Sequence, residues 1–324
     1  MLTRIAARLR AIVFRRRIAG EIDEELHDHI ERGIEANLAM GMTPAEARRR
    51  ALADLGGDAW HRFAPDRRRL VAANLARVCD ATGRPSSGPE LASLVRASFR
   101  NHARYYVELL RARRYTTAEI DRVIDVPGWD ALEAPLRAGP SILVSWHVGN
   151  FEPFGTFLAA RGLRPLAPVE AIEPRALFEF VSARRGAGAV ELVPVAEARR
   201  PLTRRLRDGG LVAIIGDRDL AGTGQAVSVF GHPTTFPTGP ATLALTFGAA
   251  VVAGRCLRTG PDRFQAIGEI VPMPASGDRR ADIAALTERL ARRFEADVAA
   301  APEQWWGAFQ PFWPDLGSPS PRRG

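Results

Sequence analysis

Residues 141–152 read SILVSWHVGNFE and place a histidine, a glycine, an asparagine and an acid within six positions, His147 to Glu152. A histidine works as a general base when a carboxylate fixes its tautomer and stabilises the imidazolium that forms. Glu152 offers such a carboxylate. Gly149 and Asn150 allow a tight turn out of the apolar run Ile142-Leu143-Val144. Asn150 is placed to cap the helix predicted to follow, with Glu152 in its first turn. That helix start also offers spare backbone N–H groups to an oxyanion or a phosphate. The local pattern leaves a second reading open, in which His147 packs and Glu152 complements the helix dipole.

Other chemistries are excluded. No Gly-x-Gly-x-x-Gly follows a strand, no Gly-Lys-Ser/Thr loop occurs, and no Gly-x-Ser-x-Gly elbow is present. Cys79 and Cys256 form neither a metal-spacing motif nor a disulfide framework. His27 and His29 stand two apart, on different sides of a helix, so no metal site is expected there.

The elements that position these residues follow from hydrophobic periodicity. Apolar runs at 141–146, 164–169, 190–195, 211–216, 249–255 and 263–271 alternate with helical stretches near 151–162, 174–185, 196–208, 238–248 and 279–300. Such alternation predicts an α/β fold with a mostly parallel central sheet flanked by helices. Ligands gather at the carboxyl ends of strands in such sheets. Those ends carry His147, Glu170, and the group Asp217, Arg218 and Asp219.

Before the sheet, residues 64–137 read as helices, including 116–124, TTAEIDRVI. Residues 1–57 read as a small helical module. Its Thr43, Pro44 and Glu46 make a capping-box start, and Gly56-Gly57 is read as its stop. Residues 58–316 form the main domain, and 317–324 a disordered tail. Residues 2–17 show the periodicity of a basic amphipathic helix, which suits either an anionic membrane or packing on the chain's own domain.

The 324 residues are 46% hydrophobic, enough for a sizeable core, and carry a formal charge of +8 with a pI near 10.8. That balance suits an anionic partner. No apolar run approaches the ~18 residues a membrane span needs, and the N-terminus lacks the pattern of a signal peptide. Nucleic acid is not expected as a partner, because only charge argues for it.

The box HVGNFE is similar to the His-x4-Asp/Glu box of glycerolipid-type acyltransferases, in the form found among lipid A and phosphatidylinositol mannoside acyltransferases. Segments in the same order resemble that family: RRRLVAANLARV, FRNHARYYVELLRA, LFEFVSARRGAGAVELVPV, the long stretch from LRDGGLVAIIGDRDL to TFGAAVV, and PEQWWGAFQPFWPD. They cover about residues 60–315. The segment from FRRRIAGEIDEELHDH to ALADLGG resembles the prefix domain of bacterial ABC-type permeases.

The resemblance implies an acyltransferase that moves a fatty acyl chain from acyl-CoA or acyl-ACP to a hydroxyl of a membrane glycolipid. It needs no cofactor beyond that co-substrate and no metal. His147 would be the base and Glu152 its partner. Arg184, or the adjacent Arg185, Asp217 and Asp219 would line the cleft. Phe230, Gly231 and Gly239 would flank the acyl and acceptor channel. The tryptophans at 305, 306 and 313 are expected in the core or at the rim. Attachment is expected to be peripheral, electrostatic and on the cytoplasmic face of the bacterial inner membrane. The alternative is a non-catalytic, membrane-associated interaction protein on the same fold.

Overall fold

The computed structural model describes residues 30–111, 115–170, 190–220 and 222–317. The proposed amphipathic helix at 2–17, His27, His29 and the tail therefore lie outside the described residues. Residues 30–39 are helical (α1). α2 (Pro44–Phe63), α3 (Pro65–Ala81) and α4 (Gly88–Arg111) follow. The capping box at Thr43 is formed, with Thr43 and Glu46 exchanging hydrogen bonds. The expected stop at Gly56-Gly57 is not: α2 continues to Phe63, and the boundary at residue 57 falls inside it.

Packing explains why glycine is there. A Cβ on Gly57 would lie 2.7 Å from the Arg100 Cα, so the bare backbone lets α2 cross α4 closely. Ion pairs fasten the crossing. Asp54 holds Arg104 through two 2.6 Å bonds, and Asp58 holds both Arg96 and Arg100. Burial alone would raise the Asp58 carboxyl, but hydrogen bonds and charge from Arg96 and Arg100 keep it well below the usual carboxylate range.

Beneath that crossing, Trp60, Phe99, His102 and Phe309 form an aromatic cluster. Burial, then the charge of Arg67, pushes the His102 imidazole down to about 4. It is neutral in the folded chain, whereas an unfolded histidine protonates near 6.5. The unfolded state thus binds more protons between those values, and stability falls as pH drops from about 6.5 to 4. The expected loss is on the order of 3 kcal/mol for this group; His61, also lowered by burial, adds to the same window. Urea unfolding at pH 7 and pH 5 should show a smaller difference in His102→Gln than in wild type.

The main sheet runs β1 (Ile124–Asp125), β9 (Arg263–Ile270), β8 (Ala250–Gly260), β2 (Ser141–Ser145), β5 (Leu211–Ile215), β3 (Leu166–Val169) and β4 (Glu191–Pro194). All neighbours pair in parallel except β8 and β9. β2 is central, and its Ile142, Leu143 and Val144 are buried, as a strand covered on both faces requires. The connecting and flanking helices are α5 (Trp129–Ala138), α6 (Glu152–Ala160), α7 (Arg199–Arg207), α8 (Gly239–Phe247) and α9 (Arg279–Ala300). A separate hairpin joins β6 (Gln225–Val229) to β7 (His232–Phe236).

The helix expected over 116–124 is absent. Only a 3-10 turn at Ile120–Arg122 forms, and then Ile124 enters β1 opposite Phe264. Pairing with β9 buries Ile124 and overrides the local helical spacing.

Candidate active site

β2 delivers the histidine. Its last residues are anchored from below, because the Trp146 indole N–H donates to Asp297 at 2.7 Å. Two positions past the strand, His147 turns its ring onto Asp217, with Nδ1 2.7 Å from Oδ1. The backbone N–H of His147 donates to the same carboxylate at 3.2 Å. The Asp217 side chain is fully buried, while 17% of the His147 side chain stays accessible. A carboxylate only accepts, so Nδ1 carries the proton and Nε2 keeps its lone pair; the tautomer is assigned from this pairing. Trp306 stands edge-on to the ring at 4.5 Å between centroids.

The turn after His147 is held from three sides. Gly149 has φ +66°, and a Cβ there would fall 2.0 Å from the Cys256 carbonyl oxygen. Only glycine combines that dihedral with that approach. Its N–H donates to the Gln304 carbonyl and its carbonyl accepts from the Trp306 indole. Asn150 falls one residue before the N-cap of α6, which is Phe151, yet its side chain still accepts from the Glu152 N–H at 3.0 Å, and its amide donates to Glu108 at 2.8 Å. Glu108 is itself fixed by a buried pair with Arg258. Gly149→Ala should keep the protein's fold largely intact but displace His147, lowering turnover by about 10²-fold, the cost of roughly 1 Å misplacement. A circular-dichroism spectrum alongside a rate measurement checks this.

His147 and Glu152 both line a cleft of about 630 Å³. Most of its wall is apolar. Leu109 of α4, Leu132 and Leu136 of α5, Leu158 of α6, and Leu143 and Ile214 of the sheet contribute. The Cys256 thiol also faces it, but burial pushes that thiol up, away from the reactive thiolate. Among the described residues no cluster of His, Cys, Asp or Glu could hold a metal ion.

The expected site residues separate into groups. His147, Glu152 and Asp217 lie together, but the carboxylate bonded to the ring is that of Asp217, not Glu152. Asp217 is thus placed behind the His147 ring, sealed from the cleft, rather than in its wall. Asp219 accepts from the Thr223 and Gly224 N–H groups and holds a turn. It does not line the cleft, whereas its neighbour Arg218 does, paired with Glu170 at 3.0 Å.

Phe230 and Gly231 sit elsewhere. Both have positive φ and form the two-residue turn between β6 and β7, which that hairpin geometry requires. Gly239 opens α8 and also stands apart from the cleft wall. Arg184 and Arg185 lie outside the described residues. Trp305 and Trp313 are core, and Trp306 lines the cleft. Its contact with His147 carries no sequence signal beyond an aromatic beside a buried tryptophan.

Among the described residues no helix is long and apolar enough to cross a membrane. Comparison with known proteins converges on one family. The model of bacterial lipid A biosynthesis acyltransferases matches residues 32–313, so the match begins inside the segment that resembles a permease prefix domain. A phosphatidylinositol mannoside acyltransferase of Mycobacterium tuberculosis is 35% identical over 251 residues, covering 74% of this chain and 75% of the relative. The protein of that name from Mycolicibacterium smegmatis is 33% identical over 247 residues, covering 74% and 77%. With a histidine–aspartate pair opening on an apolar cleft and similarity over most of its length, this chain belongs to the bacterial lipid A biosynthesis acyltransferase family and is an acyltransferase.

Proposed function

We propose that the protein transfers a fatty acyl chain from acyl-CoA or acyl-ACP to a hydroxyl of a membrane glycolipid, with His147 as general base. The observation that carries this reading is the His147–Asp217 pair opening on an apolar cleft. The acceptor hydroxyl gives its proton to Nε2 of His147 as its oxygen attacks the thioester carbonyl carbon. The tetrahedral oxyanion collapses, the C–S bond breaks, and the imidazolium returns the proton to the leaving thiolate. An ester and a free thiol result, with no covalent enzyme intermediate. Asp217 holds the tautomer and stabilises the imidazolium. Glu152, in the same cleft, orients the acceptor or the oxyanion's surroundings through its place at the start of α6.

The cleft mouth supports a membrane-borne acceptor. Tyr106, Leu110, Val195 and Leu220 line it and are exposed large apolar side chains. We place the protein peripherally on the cytoplasmic face of the inner membrane, its arginine-rich surface on anionic lipid. The relatives named above make a phosphatidylinositol mannoside the first acceptor to try. Lipid extracts from cells with and without a functional copy should differ by one glycolipid that gains a single acyl chain when the protein is present. Identical lipid mass spectra would overturn the reading.

A further inference from the structure

A second, smaller cleft lies where α2, α4 and the β8–β9 hairpin meet. Its wall carries five arginines, Arg49, Arg50, Arg104, Arg111 and Arg258, against three acids, Glu46, Glu108 and Asp262. The acids are already engaged. Glu46 accepts from Thr43 in the capping box. Glu108 is held by Arg258 and Asn150. Asp262 takes Arg111 through two 3.2 Å bonds and also faces Tyr115. Asp54 stands behind Arg104, and even with it the balance stays positive.

Arg49 and Arg50 are not satisfied by these acids. Arg49 comes no nearer than 3.8 Å to Asp262, and Arg50 no nearer than 4.0 Å to Asp54. The Nε groups of Arg49, Arg50 and Arg111 are buried with no hydrogen-bond partner among the described residues. Buried donors of this kind carry a desolvation cost unless an acceptor arrives. Burial, then the charge of Arg104, also lowers the Arg50 guanidinium from its ordinary value.

We propose that this cleft is a binding site for a phosphoryl group. Its volume is about 60 Å³. At roughly 10–15 Å³ for each water-sized group, that holds about four to six oxygens, room for one tetrahedral oxyanion. The three orphaned donors, two on α2 and one on α4, outnumber the oxygens of a carboxylate and equal the free oxygens of a phosphoryl group. The surplus of one positive charge suits an anion. The site is distinct from the acyl cleft, although Arg258 and Glu108 connect it to Asn150 at the base of the His147 turn. The phosphoryl group belongs either to a lipid headgroup or to a soluble phosphate compound.

The test uses the full chain and an Arg49→Gln/Arg50→Gln variant. Sodium phosphate, titrated against sodium chloride at matched ionic strength, should raise the wild-type melting temperature in a saturable way. The variant's midpoint should move at least about tenfold to higher phosphate, the effect of losing one or more charge-assisted contacts. If the double variant does not fold, Arg49→Gln alone is read in the same titration. A second arm measures binding to phosphatidylcholine vesicles with and without phosphatidic acid. Displacement from phosphatidic acid vesicles by free phosphate in wild type, lost in the variant, assigns the site to a lipid headgroup. A variant that binds vesicles as wild type does, yet loses the phosphate response, assigns it to a soluble phosphate. Equal responses to phosphate and chloride, or equal phosphate midpoints in wild type and variant, would overturn the proposal.

Discussion

Replacing His147 with alanine should lower acyl transfer by about 10²–10⁴-fold, the contribution of a positioned general base. The His147 ring lines the apolar cleft and is held at Nδ1 by the Asp217 carboxylate. Alanine leaves that carboxylate buried with only the residue 147 backbone N–H beside it. Stability should therefore fall by about 1–3 kcal/mol, the cost of a lost partner at a buried polar group. The variant should still show a native far-ultraviolet spectrum and a cooperative transition. Turnover within threefold of wild type in such a folded variant would end the case for base catalysis.

Asp217→Asn should be at least as severe, about 10⁴-fold in kcat, through a different cause. An amide in that place can donate to Nδ1, which then becomes the acceptor and moves the ring proton to Nε2. The base would face the acceptor hydroxyl already protonated. KM should change little, since Asp217 is sealed from the cleft. Glu152→Gln serves as the contrast, because it alters a cleft carboxylate without touching the tautomer. If Asp217→Asn keeps a near-normal rate while Glu152→Gln removes it, the orienting role returns to Glu152.

His147 was readable in the sequence because an apolar run that stops at a base is a local pattern. The carboxylate bonded to its ring was not, because Asp217 lies seventy residues on. The two meet through register. β2 and β5 pair in parallel with Ser145 opposite Ile215, so residues two beyond each strand end arrive side by side. Periodicity locates strands but says nothing of which ones become neighbours or in what register. The same limit hid Glu108 and Arg258, which support Asn150 from a helix and a strand far apart in the chain. Gly57 misled for a related reason. A glycine pair reads as a helix stop, yet here it marks where another helix presses close, a fact held by Arg100 rather than by its own neighbours. Six of the nine strands, β2, β3, β4, β5, β8 and β9, were legible as apolar runs, the central ones because burial on both faces writes such runs. The β6–β7 hairpin was missed although its strands alternate exposed and buried residues, because each is only five residues long and β7 carries a single large apolar side chain, Phe236.

The central position of β2 also sets a timetable for synthesis. β2 emerges from the ribosome well before either neighbour. β5 follows some seventy residues later, and β8 begins at Ala250, opposite Ser141. At about 5–20 residues per second, the roughly 110 residues between β2 and β8 take about 5–20 s to make. Throughout that interval the nascent chain holds an apolar strand with an open edge, the kind of segment that recruits other chains. Parallel pairing across such long connections is slow in any case. The yield of native protein should accordingly respond to chaperones that shield apolar segments during translation, and to slower growth at lower temperature.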